Sequence, residues 1–236
     1  MTLENNKGQE ACPLDAIVNP PCNEVFLMDC MEGMKQYPDK FFDIAIVDPP
    51  YGIGVDGAIH IKKPDRPSTW NGEEKYERKV WDDDIPTPFY FQELKRVSKN
   101  QIIWGGNYFT DMLPPKKGWV FWDKMFEKTN NFSNGELAWT SFDKRLMKFR
   151  ISSKAGTRGG KDRIHPTQKP VKLYEWLLTN YAKEGDTIFD SHGGSMSIAI
   201  ACWDLGFDLD ICELDTDYFN GGVKRFENHI SQTQIF

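Results

Sequence analysis

The sequence predicts an α/β protein: one domain with a mostly parallel, twisted sheet and helices on both faces. Three observations carry this reading. A strand candidate at Glu24 to Met28, a helix candidate at Met31 to Tyr37 and a β-branched strand at Phe42 to Val47 follow within about twenty-five residues, the spacing of a βαβ unit. A second unit comes late in the chain. There the strand Thr187 to Asp190 passes through Ser191-His192-Gly193-Gly194-Ser195 into an apolar helix, Met196 to Leu205, and then a strand, Asp208 to Cys212. The third observation is the exit of the early strand, Asp48-Pro49-Pro50-Tyr51, which is built of stiff residues rather than of a hairpin turn.

The remaining elements follow from pattern. Residues 1–21 are polar and then proline-rich and predict little structure, whereas 52–80, rich in Gly, Lys and Pro, read as a long mobile loop. Phe89, Phe91, Leu94 and Val97 mark a helix from Pro88 to Val97. Gln101 to Trp104, Trp119 to Trp122 and Glu136 to Phe142 read as strands. A helix from Val171 to Tyr181 begins after Pro170, which suits a first helical turn, and a final helix spans about Asp217 to His229.

Composition limits the function classes. The formal net charge of −6 argues against non-specific binding to a polyanion over the whole surface. One segment departs from it: Lys144, Arg145, Lys148, Arg150, Lys154, Arg158, Lys161 and Arg163 stand against one acid, Asp162. That stretch reads either as a solvated loop or as a face that meets a polyanion. The five cysteines are scattered without CxxC spacing, so neither a metal site nor a disulfide framework is expected. No apolar run reaches membrane-spanning length and the first residues lack a signal pattern, so a cytoplasmic protein without a membrane partner is expected.

Two places carry chemistry. A proline pushes the residue before it into extended backbone, so Asp48 and the Pro49 carbonyl are held at a strand's carboxyl end beside the Tyr51 ring. The bland alternative is a strand-terminating turn. The second place is the acid-led glycine turn opened by Asp190. Glycines and a helix N-terminus admit a ligand closely, and Glu213, about twenty residues on, has the spacing of a ribose-binding carboxylate. Neither GxGxxG nor GxxxxGK[ST] is present, and an acid at the turn disfavours a pyrophosphate. A cationic or zwitterionic ligand containing a ribose fits, and S-adenosylmethionine is such a molecule.

Taken together these residues resemble the S-adenosylmethionine-dependent DNA amino-methyltransferases, which modify adenine N6 or cytosine N4. Asp48-Pro49-Pro50-Tyr51 looks like their catalytic motif, and Asp29-Cys30 with Asp43 matches the approach to it. Gly105-Gly106-Asn107-Tyr108-Phe109, His165-Pro166-Thr167-Gln168-Lys169-Pro170, and Asp190 to Ser195 with Glu213 resemble further family segments. The order, catalytic half first, is that of the permuted β-class. The resemblance implies a Rossmann-like methyltransferase fold with a catalytic half at 22–142, a basic target-recognition segment at 143–164 and a cofactor half at 165–236. Asp48, Pro49, Pro50 and Tyr51 are the implied catalytic residues. Asp29, Lys169, Asp190, Gly194, Ser195 and Glu213 are the implied contacts of S-adenosylmethionine, and Lys148, Arg150, Lys154 and Arg158 those of double-stranded DNA. No metal is implied. A homodimer and a restriction–modification setting are common in the group.

The expected activity is adenine-N6 methylation by base flipping and direct transfer, because cytosine-N4 members more often begin the tetrapeptide with Ser. Cytosine-N4 methylation and a catalytically weak DNA-binding module are the alternatives. Two residues depart from the family: His192 stands where an aromatic is usual, and reads as a packing substitute. Met196 stands where glycine is usual, harmless if its φ is negative.

Overall fold

The computed structural model describes residues 23–54, 82–125, 133–157 and 163–233. The stretch expected to lack structure at 1–21 and nearly all of the loop expected at 52–80 lie outside these residues.

In chain order the elements are β1 (Val25–Leu27), α1 (Cys30–Lys35), β2 (Phe42–Val47), α2 (Pro88–Val97), β3 (Ser98–Trp104), a short 3₁₀ turn (Gly106–Tyr108), β4 (Trp119–Asp123), β5 (Gly135–Thr140), β6 (Met147–Arg150), α3 (Val171–Tyr181), β7 (Thr187–Asp190), α4 (Ser197–Leu205), β8 (Asp208–Glu213) and α5 (Thr216–Thr233). The strands form one sheet in the order β1-β8-β7-β2-β3-β5-β4-β6. β5 runs antiparallel to both its neighbours, β3 and β4, and every other pairing is parallel.

Alternation along the central strands explains the layers. Ile44 and Ile46 of β2, Ile102 and Trp104 of β3 and Ile188 of β7 point to one face, where they meet Leu173, Leu177 and Leu178 of α3, the apolar side of α4 and Phe226 of α5. Ala45, Val47, Ile103 and Phe189 point to the other face, against Met34 of α1 and Tyr90, Phe91, Leu94 and Val97 of α2. Strands buried on both sides are apolar almost throughout, which is why β2 reads as a continuous hydrophobic run. Each fully buried aliphatic side chain here contributes about 1.5–3 kcal/mol.

β6 was not expected. The basic segment, read as a solvated loop or a face that meets a polyanion, contains the outermost strand, parallel to β4. Met147 and Phe149 alternate with exposed Lys148 and Arg150, and the Phe149 ring stacks on Trp176 of α3 at 5.1 Å. Four residues with two charges carry too weak a period to be recognised without the neighbouring strand.

From β2 the chain crosses through α2 to β3 on one side, while from β7 it crosses through α4 to β8 on the other. Adjacent β2 and β7 thus diverge in connection, and their carboxyl ends flank a crevice of the kind where open α/β sheets bind ligands. Asp48 leaves β2 and Asp190 ends β7 at this point. Among the described residues no helix is long and apolar enough to cross a membrane.

Candidate active site

The tetrapeptide leaves β2 as a rigid hook. The Tyr51 hydroxyl donates to Asp48 Oδ1 at 2.5 Å, and the buried Asp82 carboxylate accepts from the backbone N–H of Tyr51 and of Gly52 at 2.7 and 3.1 Å. The Tyr51 ring lies offset-stacked on Tyr108 (5.1 Å, 16° between planes) and edge-on to Phe109. Tyr108 is 44% exposed, so the pair presents an aromatic surface at the mouth of the crevice. Gly105 makes this possible. Its φ is +69°, and a Cβ there would sit 2.2 Å from the Tyr51 ring.

Beneath the hook lies a buried charge cluster. The Lys169 ammonium, 2% exposed as a side chain, pairs with Asp48 Oδ2 and lies 3.2 Å from Glu136 Oε2. Glu136 in turn pairs through Oε1 with Lys124 at the exit of β4. The ammonium also sits 5.3 Å from the ring centre of Trp104. Lys169, expected among the cofactor contacts, thus directs its side chain to Asp48. Its carbonyl accepts from Ser197 Oγ of α4 at 2.7 Å. Burial raises the Asp48 pKa and Glu136 adds to this, against the pull of Lys169. Glu136 goes the other way: burial would raise it, but the two lysines hold it below its ordinary value. Burial would also lower Lys169, but the two carboxylates more than reverse that and keep it charged. The cluster thus shifts its two carboxylates in opposite directions, Asp48 upward and Glu136 downward.

Across the crevice, Asp190 Oδ1 accepts from the His192 N–H at 3.0 Å. Glu213, ending β8, accepts from the Gly194 N–H at 2.6 Å and from the Asp215 N–H at 2.8 Å, so the acid and the glycine turn are joined directly. Burial pushes both Asp190 and Glu213 upward, and the charges of Asp48 and Glu213 add to the rise at Asp190. Asp29 is exposed, caps α1 by accepting from the Met31 N–H at 2.8 Å, and its charge reaches His192. Asp29, Asp48, Asp190 and Glu213 thus crowd one end of the sheet. A cationic ligand would relieve the crowding that raises Asp190, and a phosphate would worsen it.

His192 is tied by Nδ1 to Ser191 Oγ at 2.8 Å, which meets the Tyr90 hydroxyl at 2.7 Å. Burial pushes its pKa down to about 4, keeping the ring neutral. The Ser195 carbonyl accepts from Arg225 at 2.6 Å, and its hydroxyl lies 3.1 Å from Ser197 Oγ. Met196 has φ +55°, contrary to the negative value that would make it harmless. The turn needs a left-handed residue between Gly193 and α4, which is why glycine is the ordinary choice.

Lys148 and Arg150 lie exposed on β6 and both pair with Asp123 of β4, at 2.9 and 3.5 Å. Lys154 is exposed in the turn that follows, and Arg158 lies outside the described residues. Sequence reasoning missed Glu136, Lys124 and Asp82. Glu136 was visible only as the first residue of a strand candidate, and its partners lie far off in sequence. A carboxylate opening a strand otherwise as apolar as Leu137-Ala138-Trp139 was the available signal.

Comparison with known proteins gives the family and the fold. The sequence model of a family described as DNA methylase matches residues 62–224. The Type II methyltransferase M.HinfI of Haemophilus influenzae is 24% identical over 250 residues, covering 88% of this chain and 69% of its own. The DNA adenine methyltransferase YhdJ of Escherichia coli K12 is 22% identical, covering 88% and 84%. Among solved structures, the M1.HpyAVI–SAM complex superposes with a TM-score of 0.56 at 16% identity, over 86% of this chain and 98% of the other. PvuII DNA methyltransferase, cytosine-N4-specific, gives 0.58 at 12% identity, over 89% and 91%. At such identities these likenesses speak for the fold alone.

Proposed function

This chain belongs to the DNA methylase family, and from that premise we propose that it methylates adenine N6 in duplex DNA with S-adenosylmethionine as methyl donor. One observation carries the reading: Asp48, at the exit of β2, stands across the crevice from the acid-led turn that follows β7. Asp190, Glu213 and the Gly194 backbone would hold the donor, whose ammonium and sulfonium suit the crowded carboxylates. When bound, the donor would supply an activated methyl group, its S–CH₃ bond exchanged for N–CH₃ with a neutral thioether as leaving group, and the surplus proton on nitrogen would pass to water.

The protein's part is to prepare the nitrogen. An exocyclic amino group donates its lone pair into the ring and is a poor nucleophile. Asp48 and the Pro49 carbonyl would each accept one of its N–H groups, favouring a pyramidal nitrogen with a freer lone pair. An ionised carboxylate has about four acceptor positions, so Asp48 keeps capacity beyond Tyr51 and Lys169. Its charge also stabilises the positive charge that develops on nitrogen. The base must leave the duplex to reach this depth, and the Tyr51–Tyr108 pair offers it a stacking surface.

Adenine is favoured because the tetrapeptide opens with Asp48, and because one of the relatives above is a DNA adenine methyltransferase. The test is to incubate the protein with labelled donor and unmethylated duplex DNA and to identify the modified nucleoside. N6-methyladenine is expected, and N4-methylcytosine would overturn the choice of base. Asp48→Ala is expected to abolish transfer while leaving donor binding within about twofold by calorimetry, since the carboxylate acts on the developing charge. Retained transfer would refute its role.

A further inference from the structure

Lys169 carries one positive charge and touches two carboxylates, Asp48 at the exit of β2 and Glu136 on β5. Glu136 is built into place: it is the second residue of β5, lies between Lys124 and Lys169, and its side chain is 20% exposed. If Lys169 had Asp48 as its only partner, the pair would neutralise each other, and Asp48 would be a weak acceptor for an amino group. The second carboxylate divides the attraction of the ammonium. We propose that Glu136, backed by Lys124, is a positioning residue that acts through Lys169 to keep the negative charge of Asp48 available to the target amino group.

This rests on the reading of Asp48 as the acceptor in methyl transfer. The four side chains alternate in sign, Lys124, Glu136, Lys169, Asp48, so the buried set is neutral overall while its crevice end is anionic. The groups that bear on Asp48 are Lys169 before α3, Glu136 on β5 and Tyr51 on the hook. Asp48 in turn bears on Asp190 of β7, Tyr90 of α2 and Tyr174 of α3. Lys124 of β4 reaches it through Glu136. Removing the charge of Glu136 leaves Lys169 wholly on Asp48, so Asp48 becomes a weaker base. Removing the charge of Lys124 leaves Glu136 freer for Lys169, so Asp48 becomes a stronger one.

The two changes thus push the acid side of the rate profile in opposite directions. The experiment is single-turnover methyl transfer from labelled S-adenosylmethionine to unmethylated genomic DNA between pH 5 and 9, for the wild-type protein, Glu136→Gln, Glu136→Asp and Lys124→Gln. Donor binding is measured alongside by calorimetry. Glu136→Gln is expected to lower the plateau rate roughly tenfold and to move the acid limb about one pH unit lower, with donor affinity unchanged. Glu136→Asp, which keeps the charge, should recover part of the rate and return the limb. Lys124→Gln should move the limb higher. A Glu136→Gln profile with the wild-type limb overturns the proposal whether its rate is normal or reduced, because a purely structural role lowers the rate without moving the limb. If Glu136→Gln does not fold, a Lys124→Gln limb that stays put or moves lower overturns it. Transfer retained by Asp48→Ala would instead remove the reading beneath, so the two failures are distinguishable.

Discussion

At the scale of single residues, Met196 shows how this chain departs from a usual glycine and accommodates the change. A left-handed conformation costs a side-chain-bearing residue about 1–2 kcal/mol. The Met196 side chain is 1% exposed and lies in a notch of α5 opened by Gly222, where an added Cβ would come within 2.5 Å of Met196 Cγ and 3.0 Å of the Gly194 carbonyl. Gly222 in mid-helix is unfavourable by propensity, so its place is explained by what it makes room for. Gly222→Ala is expected to cost about 1–3 kcal/mol in denaturant unfolding. In a double-mutant cycle with Met196→Gly, the combined loss should fall short of the sum by about 1 kcal/mol. Simple additivity would show that the two sites are independent. None of this could be read from the sequence. The family pattern marked Met196 as unusual, but the sign of its φ depends on how the turn is spanned, and its partner lies on another helix.

At the scale of elements, β8 and the segment that follows α1 meet through a buried acid. Asp210 is 1% exposed, accepts from the Tyr37 hydroxyl at 2.8 Å and from the Glu24 N–H at 3.0 Å, and burial raises its pKa to about 6. Its folded pKa lies above the unfolded value, so the folded state holds the proton more tightly. The stability this gives is fully present below about pH 4 and is lost as pH rises through about 6, by roughly 3 kcal/mol in all. Asn can serve both partners, accepting from Glu24 and donating to the tyrosine oxygen. Asp210→Asn should therefore melt a few degrees above wild type at pH 8, the gap closing towards pH 4.5. A difference that does not change with pH would exclude the mechanism. The elements around this pair were the legible ones. β2, β7, β8 and α3 are long or apolar enough to show their period, whereas β6 and the reach of Glu136 depend on neighbours in space.

At the scale of the molecule, charge is unevenly spread. Lys148 and Arg150 lie on the outermost strand and Lys154 just beyond it, on a chain whose net charge is −6. Replacing the three together by Ala should weaken DNA binding and reduce its salt dependence by about 0.9 in log–log slope for each phosphate no longer neutralised. Unchanged binding accompanied by self-association would mean instead that these charges guard an exposed sheet edge. The fold class and the two halves of the crevice could be foreseen because each rests on a short local motif. The charge cluster could not, because it joins four separate stretches.

That cluster also bears on when the protein becomes competent during synthesis. β4 is made before β5 but has no place in the sheet without it, since β5 lies between β3 and β4. Lys169 follows Asp48 by 121 positions. Until that much chain has emerged and docked, Asp48 lacks the cation that seats it, and contacts this distant in sequence form slowly. A copy that stops short of Lys169, although already carrying the tetrapeptide, holds an unseated carboxylate. Arrival of Lys169, rather than appearance of the motif, completes the setting of Asp48.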